Sequence, residues 1–183
     1  KEVALQVNSE GGHASRNPIL QMRVMRDLIE VRETLSAAHI AVPNWLQNSI
    51  DRMAPMLRAM RHGDGGLALF HEGTSGDPEE IDVLLSRANV RGKKLFAGPH
   101  SGYHRLEAGK TVLILDGGVS PGLANNKWGH AGALAFEMST GKERLIVNCG
   151  TTHRLGKDWH QALRSTAAHS TMTVDDVNSA ELN

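Results

Sequence analysis

The sequence predicts an α+β chain in which a helical array comes first and an antiparallel β-sandwich follows. Three observations carry this. Apolar residues recur at steps of three and four through the first third of the chain. From about residue 94 the period falls to two, or to short apolar runs closed by Gly, Asp or Asn. The two patterns do not alternate, which argues against a parallel βαβ sheet. The expected division is helices over 1–62, a connecting segment with a short helix over 63–93, and a sheet part over 94–183.

Each element has its own signal. "KEVALQVN" at the start reads as the tail of a helix already under way, without an initiator methionine or signal segment. Asn17 is placed to cap a helix whose first residue is Pro18, where the missing N–H costs nothing. Leu20, Val24, Leu28, Val31 and Leu35 mark its expected apolar face. After "AVPN" a second run places Leu46, Ile50, Met53, Leu57 and Met60 on one face, with Pro55 expected to kink it or split off its first turn. The methionines read as core filler. "RHGDGG" is turn chemistry, and "LALF" a short apolar segment. Asp77 and Pro78 open a short helix with Ile81, Leu84, Leu85 and Ala88 inward. Five strand-like pieces follow: "YHRLEAG", "TVLILDGG", "GALAFEMSTG", "ERLIVNCG" and "STMTVDD". "STGKER" should make a hairpin between 134–138 and 144–148. His153 and His160 flank Trp159 in what reads as a surface loop. The chain stops in polar residues, and both ends read as cuts in a longer protein, so the compartment is not written in it.

Composition sets further bounds. Twenty basic and twenty acidic residues balance, which gives no electrostatic footprint for nucleic acid or a membrane surface. Cys149 is the single cysteine, so no intramolecular disulfide forms. Aromatic residues are 4% of the chain and Tyr103 is the one tyrosine.

Candidate chemistry begins in "SEGGHASRNP", residues 9–18. His13 and Arg16 lie in the loop before a helix N-terminus, where free N–H groups and the helix dipole favour anions. Gly11 and Gly12 allow a sharp turn or close approach to a ligand. Alternatively, His13 is an exposed loop residue. Arg105 can reach a carboxylate or sulfate bidentately, or stand solvated on a strand. "DGG" at 64–66 and 116–118 reads as turns.

Taken in order, "EGGHASRNP", "HGDGGLALF", "SGYHRLEAGKTVLILDGG", "GHAGALAFEMSTGKERLIVNCG" and "AHSTMTVDD" resemble the heparinase II/III-like family of bacterial polysaccharide lyases, in particular its alphaproteobacterial branch. The resemblance implies that residues 1–62 are the last helices of an α/α toroid and that the sandwich begins near residue 94. It also implies β-elimination on uronic-acid glycans of the heparin or heparan kind, in a cleft between toroid and sandwich. That reaction needs donors or positive charge aimed at the C5 carboxylate, with a base and an acid titrating near working pH. On this reading His13, Tyr103 and His130 are the catalytic candidates, and Arg16 and Arg105 bind substrate. Arg16 would also depress the His13 pKa. An acidic polysaccharide is the implied partner, and no cofactor is required for the chemistry.

The resemblance further implies a structural zinc held by His130, His169 and, where relatives have aspartate, Asn148. A hydrogen-bonded histidine pair without metal is the alternative. The chain departs from the family at several places. Leu20 and Gln21 stand where relatives often carry Tyr-His, Trp128 replaces a histidine, and no tyrosine lies in the helical part. A glycan-binding or structural relative that has lost the base is therefore the second reading.

Overall fold

Asn17 does what its position dictates. In the computed structural model, which describes residues 2–92, 94–119, 129–152, 154 and 156–182, its side chain accepts from the N–H groups of Ile19 and Leu20 and so caps α2 (Pro18–Ala37). A short α1 (Glu2–Gln6) precedes it. Then come α3 (Asn44–Ala59), α4 (Pro78–Ala88), strands β1 (Tyr103–Ala108), β2 (Thr111–Asp116), β3 (Phe136–Thr140) and β4 (Glu143–Ile146), α5 (Lys157–Arg164) and a 3-10 turn at Thr166–Ala168. Losing the cap through Asn17→Ala is expected to cost about 1 kcal/mol, measurable by thermal unfolding.

The helices pack as their periods require, with two differences. The buried stripe of α2 is Gln21, Met22, Met25, Leu28 and Ile29, one step round from the expected face; Val31 is exposed. Apolar residues occur on both stripes: Met22, Met25 and Ile29 join the expected Leu28 in the core with Leu46, Ile50, Met53 and Leu57 of α3, and Val24 and Leu35 pack against it partly buried. Pro55 does not split α3, which runs through it unbroken. The carbonyl that would have received its N–H belongs to Asp51, an exposed residue, so water can take the vacant bond. Asp77 caps α4 as expected, and Ile81, Leu84, Leu85 and Ala88 are buried. No helix of the described residues is long and apolar enough to cross a membrane.

The described strands form one antiparallel sheet in the order β1-β2-β3-β4. The hairpin at Gly141 joins β3 to β4 and lies inside the expected segment, with a register shift at Met138/Ser139. "STMTVDD" is not a strand: Asp175 and Asp176 both take positive φ, making a tight turn closed by a Val174–Val177 bridge. Residues 157–164, expected as loop, form α5.

One face of this sheet is buried and unusually polar. Tyr103 and Arg105 on β1, Asp116 on β2, and Glu137 and Ser139 on β3 all point inward beside Val112 and Ile114. Arg105 pairs across to Ile114, which pairs across to Glu137. Each of these polar groups has a partner outside the sheet, in the loop of residues 8–17 or in the segment 59–72, while Arg105 also pairs with Glu107 of its own strand and Glu137 with Asn148. That is how the helical part and the sheet are joined.

Candidate functional site

A cleft of about 410 Å³ opens between the loop of residues 8–16 and the sheet-side loops at 99–104 and 117–119. His13, Arg16, His100 and His104 line it, with Asn8 and Ser101. Its floor is backbone. Gly102 has φ +74, and a Cβ there would lie 2.1 Å from the Cα of Gly118, so only glycine lets these two loops meet. Gly11 also has a positive φ, but its close approach is to α3, since a Cβ would sit 2.1 Å from the Arg52 carbonyl oxygen. Gly11 therefore docks the loop on α3, while Gly12 lets it pass close to the side chains of Asn8 and Ser101.

His13 is buried, not exposed, and the loop holds it tightly. Its Nδ1 accepts from the Ser15 N–H at 3.1 Å and lies 2.7 Å from Ser15 Oγ. The proton therefore sits on Nε2, which has only a long contact, 3.4 Å, to Gln6 Oε1. Burial lowers its pKa, and burial rather than Arg16 is the cause. A neutral imidazole offering Nε2–H can donate to a sugar oxygen; as a base it is blocked at Nδ1. Gln21, which the family pattern would make histidine, clamps this loop. Its Oε1 accepts from the His13 N–H at 2.7 Å, and its Nε2 donates to the Gly11 carbonyl at 2.6 Å.

Arg16 reaches across to the sheet. Its Nη2 pairs with Asp116, its Nε donates to the Ser101 carbonyl at 2.9 Å, and its Nη1 donates to the Val119 carbonyl at 2.7 Å. The guanidinium also lies 4.9 Å from the centre of the Tyr103 ring. Its charge is already met by a carboxylate, so it pins the loop and is not free to neutralise a uronate. Tyr103 is likewise turned inward. Its hydroxyl donates to the Arg16 carbonyl and its ring packs on Phe70 at 5.2 Å. Burial, with the Asp116 charge beside it, pushes its pKa well up, which removes it as a base at this position.

Arg105 corrects the sequence expectation in both of its forms. It is buried, and its Nη1 donates to the carbonyls of Ala59 at 2.8 Å and Arg61 at 2.6 Å, closing the C-terminal end of α3. Positive charge is favoured at a helix C-terminus. Glu107 balances it. Arg105 lies outside the cleft and serves the helix end.

His130 and His169 do come together, although neither lies in a strand. His130 Nδ1 is 2.9 Å from His169 Nε2. His130 Nε2 accepts from the Glu72 N–H at 3.1 Å, and His169 Nδ1 donates to the Ser165 carbonyl at 2.7 Å. Both rings then carry their proton on Nδ1 and form a short chain. Burial, helped by neighbouring positive charges, lowers the His130 pKa to about 2, and burial also lowers that of His169. Asn148 does not join them. Its amide donates to Glu137 at 3.0 Å and its oxygen accepts from the Ser170 N–H.

With all four ring nitrogens engaged and Asn148 turned away, this arrangement does not fit a zinc ion. Among the described residues no third His, Cys or carboxylate completes such a set. The two imidazoles are hydrogen-bonded directly to each other. Trp128 and His153 lie outside the described residues.

Three residues that sequence reasoning missed organise this region. Asp116, read only as a turn, accepts from Arg16 through one oxygen and from His71 Nε2 at 2.8 Å through the other. Its pKa stays below the usual carboxylate value: burial pushes it up, and the His71 and Arg16 contacts outweigh that. His71 and Glu72 both hold positive φ, an uncommon conformation for such side chains, and Glu72 pairs with His160 of α5. His160, expected at the surface, is thus tied into the interior. A histidine after "LALF" carries no local signal of this kind.

The fold defined by these elements is that of the heparinase III type. The structure superposes on heparinase III with a TM-score of 0.77 at 16% identity, covering 97% of this chain and 34% of that one. It superposes on a mutant of the heparan sulfate lyase HepC from Pedobacter heparinus with a TM-score of 0.77 at 14% identity, covering 97% and 32%. Residues 90–183 match the family model described as heparinase II/III-like, C-terminal, and the chain belongs to that family. It is also 34% identical over 170 residues to FtsZ-localized protein C of Caulobacter vibrioides, covering 93% of this chain and 29% of that protein. The chain thus spans under a third of that relative's length.

Proposed function

We propose that this chain supplies one wall of a cleft that binds uronic-acid-containing polysaccharide, in a relative of the lyases in which these residues serve binding and scaffolding rather than elimination. One observation carries the reading. Arg16, the cation in the cleft lining, and Tyr103, the expected acid–base tyrosine, are consumed in holding the loop to the sheet. What remains at the cleft is the exposed imidazoles of His100 and His104, with the buried ring of His13 in its lining. Such a set suits sugar hydroxyl and carboxylate oxygens. That a relative is named for localisation with FtsZ accords with a role outside lyase chemistry. The exposed imidazole of His104 favours the alternative, elimination by a residue outside the expected set, since an accessible histidine can act as a base.

The test uses the intact protein with heparan sulfate and an unsulfated polyuronate, following binding by calorimetry and turnover by the ultraviolet absorbance of the unsaturated product. Binding without turnover is expected, and His100→Ala and His104→Ala should each weaken it by roughly fivefold or more, as loss of one or two hydrogen bonds would. Turnover abolished by His104→Ala establishes the lyase reading. Absence of glycan binding overturns both.

A further inference from the structure

A larger cavity of about 540 Å³, sharing no lining residue with the histidine cleft, forms where the C-terminal end of α3, the turn at 61–65, α4 and the approach to β1 converge. Its charge is one-sided. Arg58, Arg61, Lys94 and Arg105 line it, against one lining carboxylate, Asp82. Most of this charge has a partner. Arg61 donates to the Gly65 carbonyl at 2.8 Å and to Asp82 at 2.7 Å, while Arg105 and Lys94 share Glu107. Arg58 is different. Its Nη2 donates to the Val90 carbonyl at 2.6 Å, but its Nη1 is buried with no acceptor among the described residues. No carboxylate is bonded to this guanidinium among the described residues.

A buried cationic donor without an acceptor is costly, and native proteins seldom leave one so. The deficit is removed when a ligand brings the acceptor. A planar guanidinium favours oxyanions that can take two N–H bonds, and the four lining cations outnumber the carboxylates that pair with them, Asp82 and Glu107, which leaves the local potential positive for a multiply charged one. We propose that this cavity is an anion-binding site, separate from the glycan cleft, for a phosphate or sulfate ester, with Arg58 as its principal donor and Lys94 as the solvent-side cation. Lys94 suits that place because its side chain is 43% exposed and its Glu107 partner is accessible too, so the pair opens at little cost. Sulfated sugar and phosphorylated metabolite share this chemistry, and the experiment separates them.

The intact protein is titrated by calorimetry with inorganic pyrophosphate, a nucleoside diphosphate and a sulfated disaccharide. Saturable binding of pyrophosphate is expected. Arg58→Gln should weaken it roughly tenfold or more, the size of one charge-assisted hydrogen bond, and Lys94→Gln by roughly threefold to tenfold. Preference for the nucleotide or for the sulfated sugar identifies the source of the ester. Lys94→Gln alters an exposed side chain and tests the site even if Arg58→Gln impairs folding. His104→Ala should leave pyrophosphate binding unchanged, and Arg58→Gln should leave polysaccharide binding in the histidine cleft unchanged, so the two readings fail separately. No binding of pyrophosphate, or equal binding by wild type and both variants, overturns the proposal.

Discussion

Replacing Asp116 by asparagine is expected to cost about 3 kcal/mol or more of folding stability, because it strips the partner from a buried arginine. Arg16 and Asp116 have side chains 8% and 3% exposed, and the same carboxylate also receives His71. Without it, the Arg16 charge stays inside with only carbonyl dipoles around it. The loss should depend on pH in a defined direction. The Asp116 carboxyl titrates lower in the folded protein than in the unfolded chain, since the His71 and Arg16 contacts outweigh burial. The folded state therefore binds this proton less readily. Its contribution is present above the unfolded value of about 4 and is lost as the pH falls below that through the folded one. The gap between wild type and Asp116→Asn should be wide at neutral pH and should close in acid. Urea unfolding on both sides of that window measures it, and an equal gap at both would refute the assignment.

Glu137→Ala is expected to be as damaging, by about 3–5 kcal/mol. Glu137 is fully buried on β3, with one oxygen 2.9 Å from His62 Nε2. The other accepts from the N–H groups of Leu69 and Asn148 and from the Asn148 amide. Alanine leaves every one of these donors unmet in a site without water access. Glu137→Gln keeps an acceptor oxygen for the backbone donors, so it should cost less than alanine. Denaturant unfolding of the two variants checks the order. Equal losses would mean that packing volume, rather than hydrogen bonding, sets the value of this position.

Asp116 and Glu137 also show where sequence reading stops. Both sit in strands whose period-two pattern was legible, at positions where alternation places a residue on the inner face. The pattern says inward and apolar; the structure is inward and charged. Partners for both come from far along the chain, Arg16 and His71 for one and His62 for the other. No local spacing encodes such a pairing. Arg105 is similar, since a strand arginine looks solvated until the end of α3 is laid over it.

What the sequence determined by itself is what local physics controls. The caps at Asn17 and Asp77, the buried faces of α3 and α4, the change from helical to strand period, and the Gly141 hairpin all follow from residues a few positions apart. Family membership was legible too, because ordered blocks survive where single residues change. The meeting of His130 with His169 also came from the family pattern. Only the tertiary structure decided which way the functional side chains face. It turned Arg16, Tyr103 and Arg105 from candidate ligands of a sugar into ties between helices and sheet, and it left His104 at the cleft. The physical reason is that a buried charge must find its counter-charge or lose stability, and where that counter-charge lies is fixed only once distant segments are packed together.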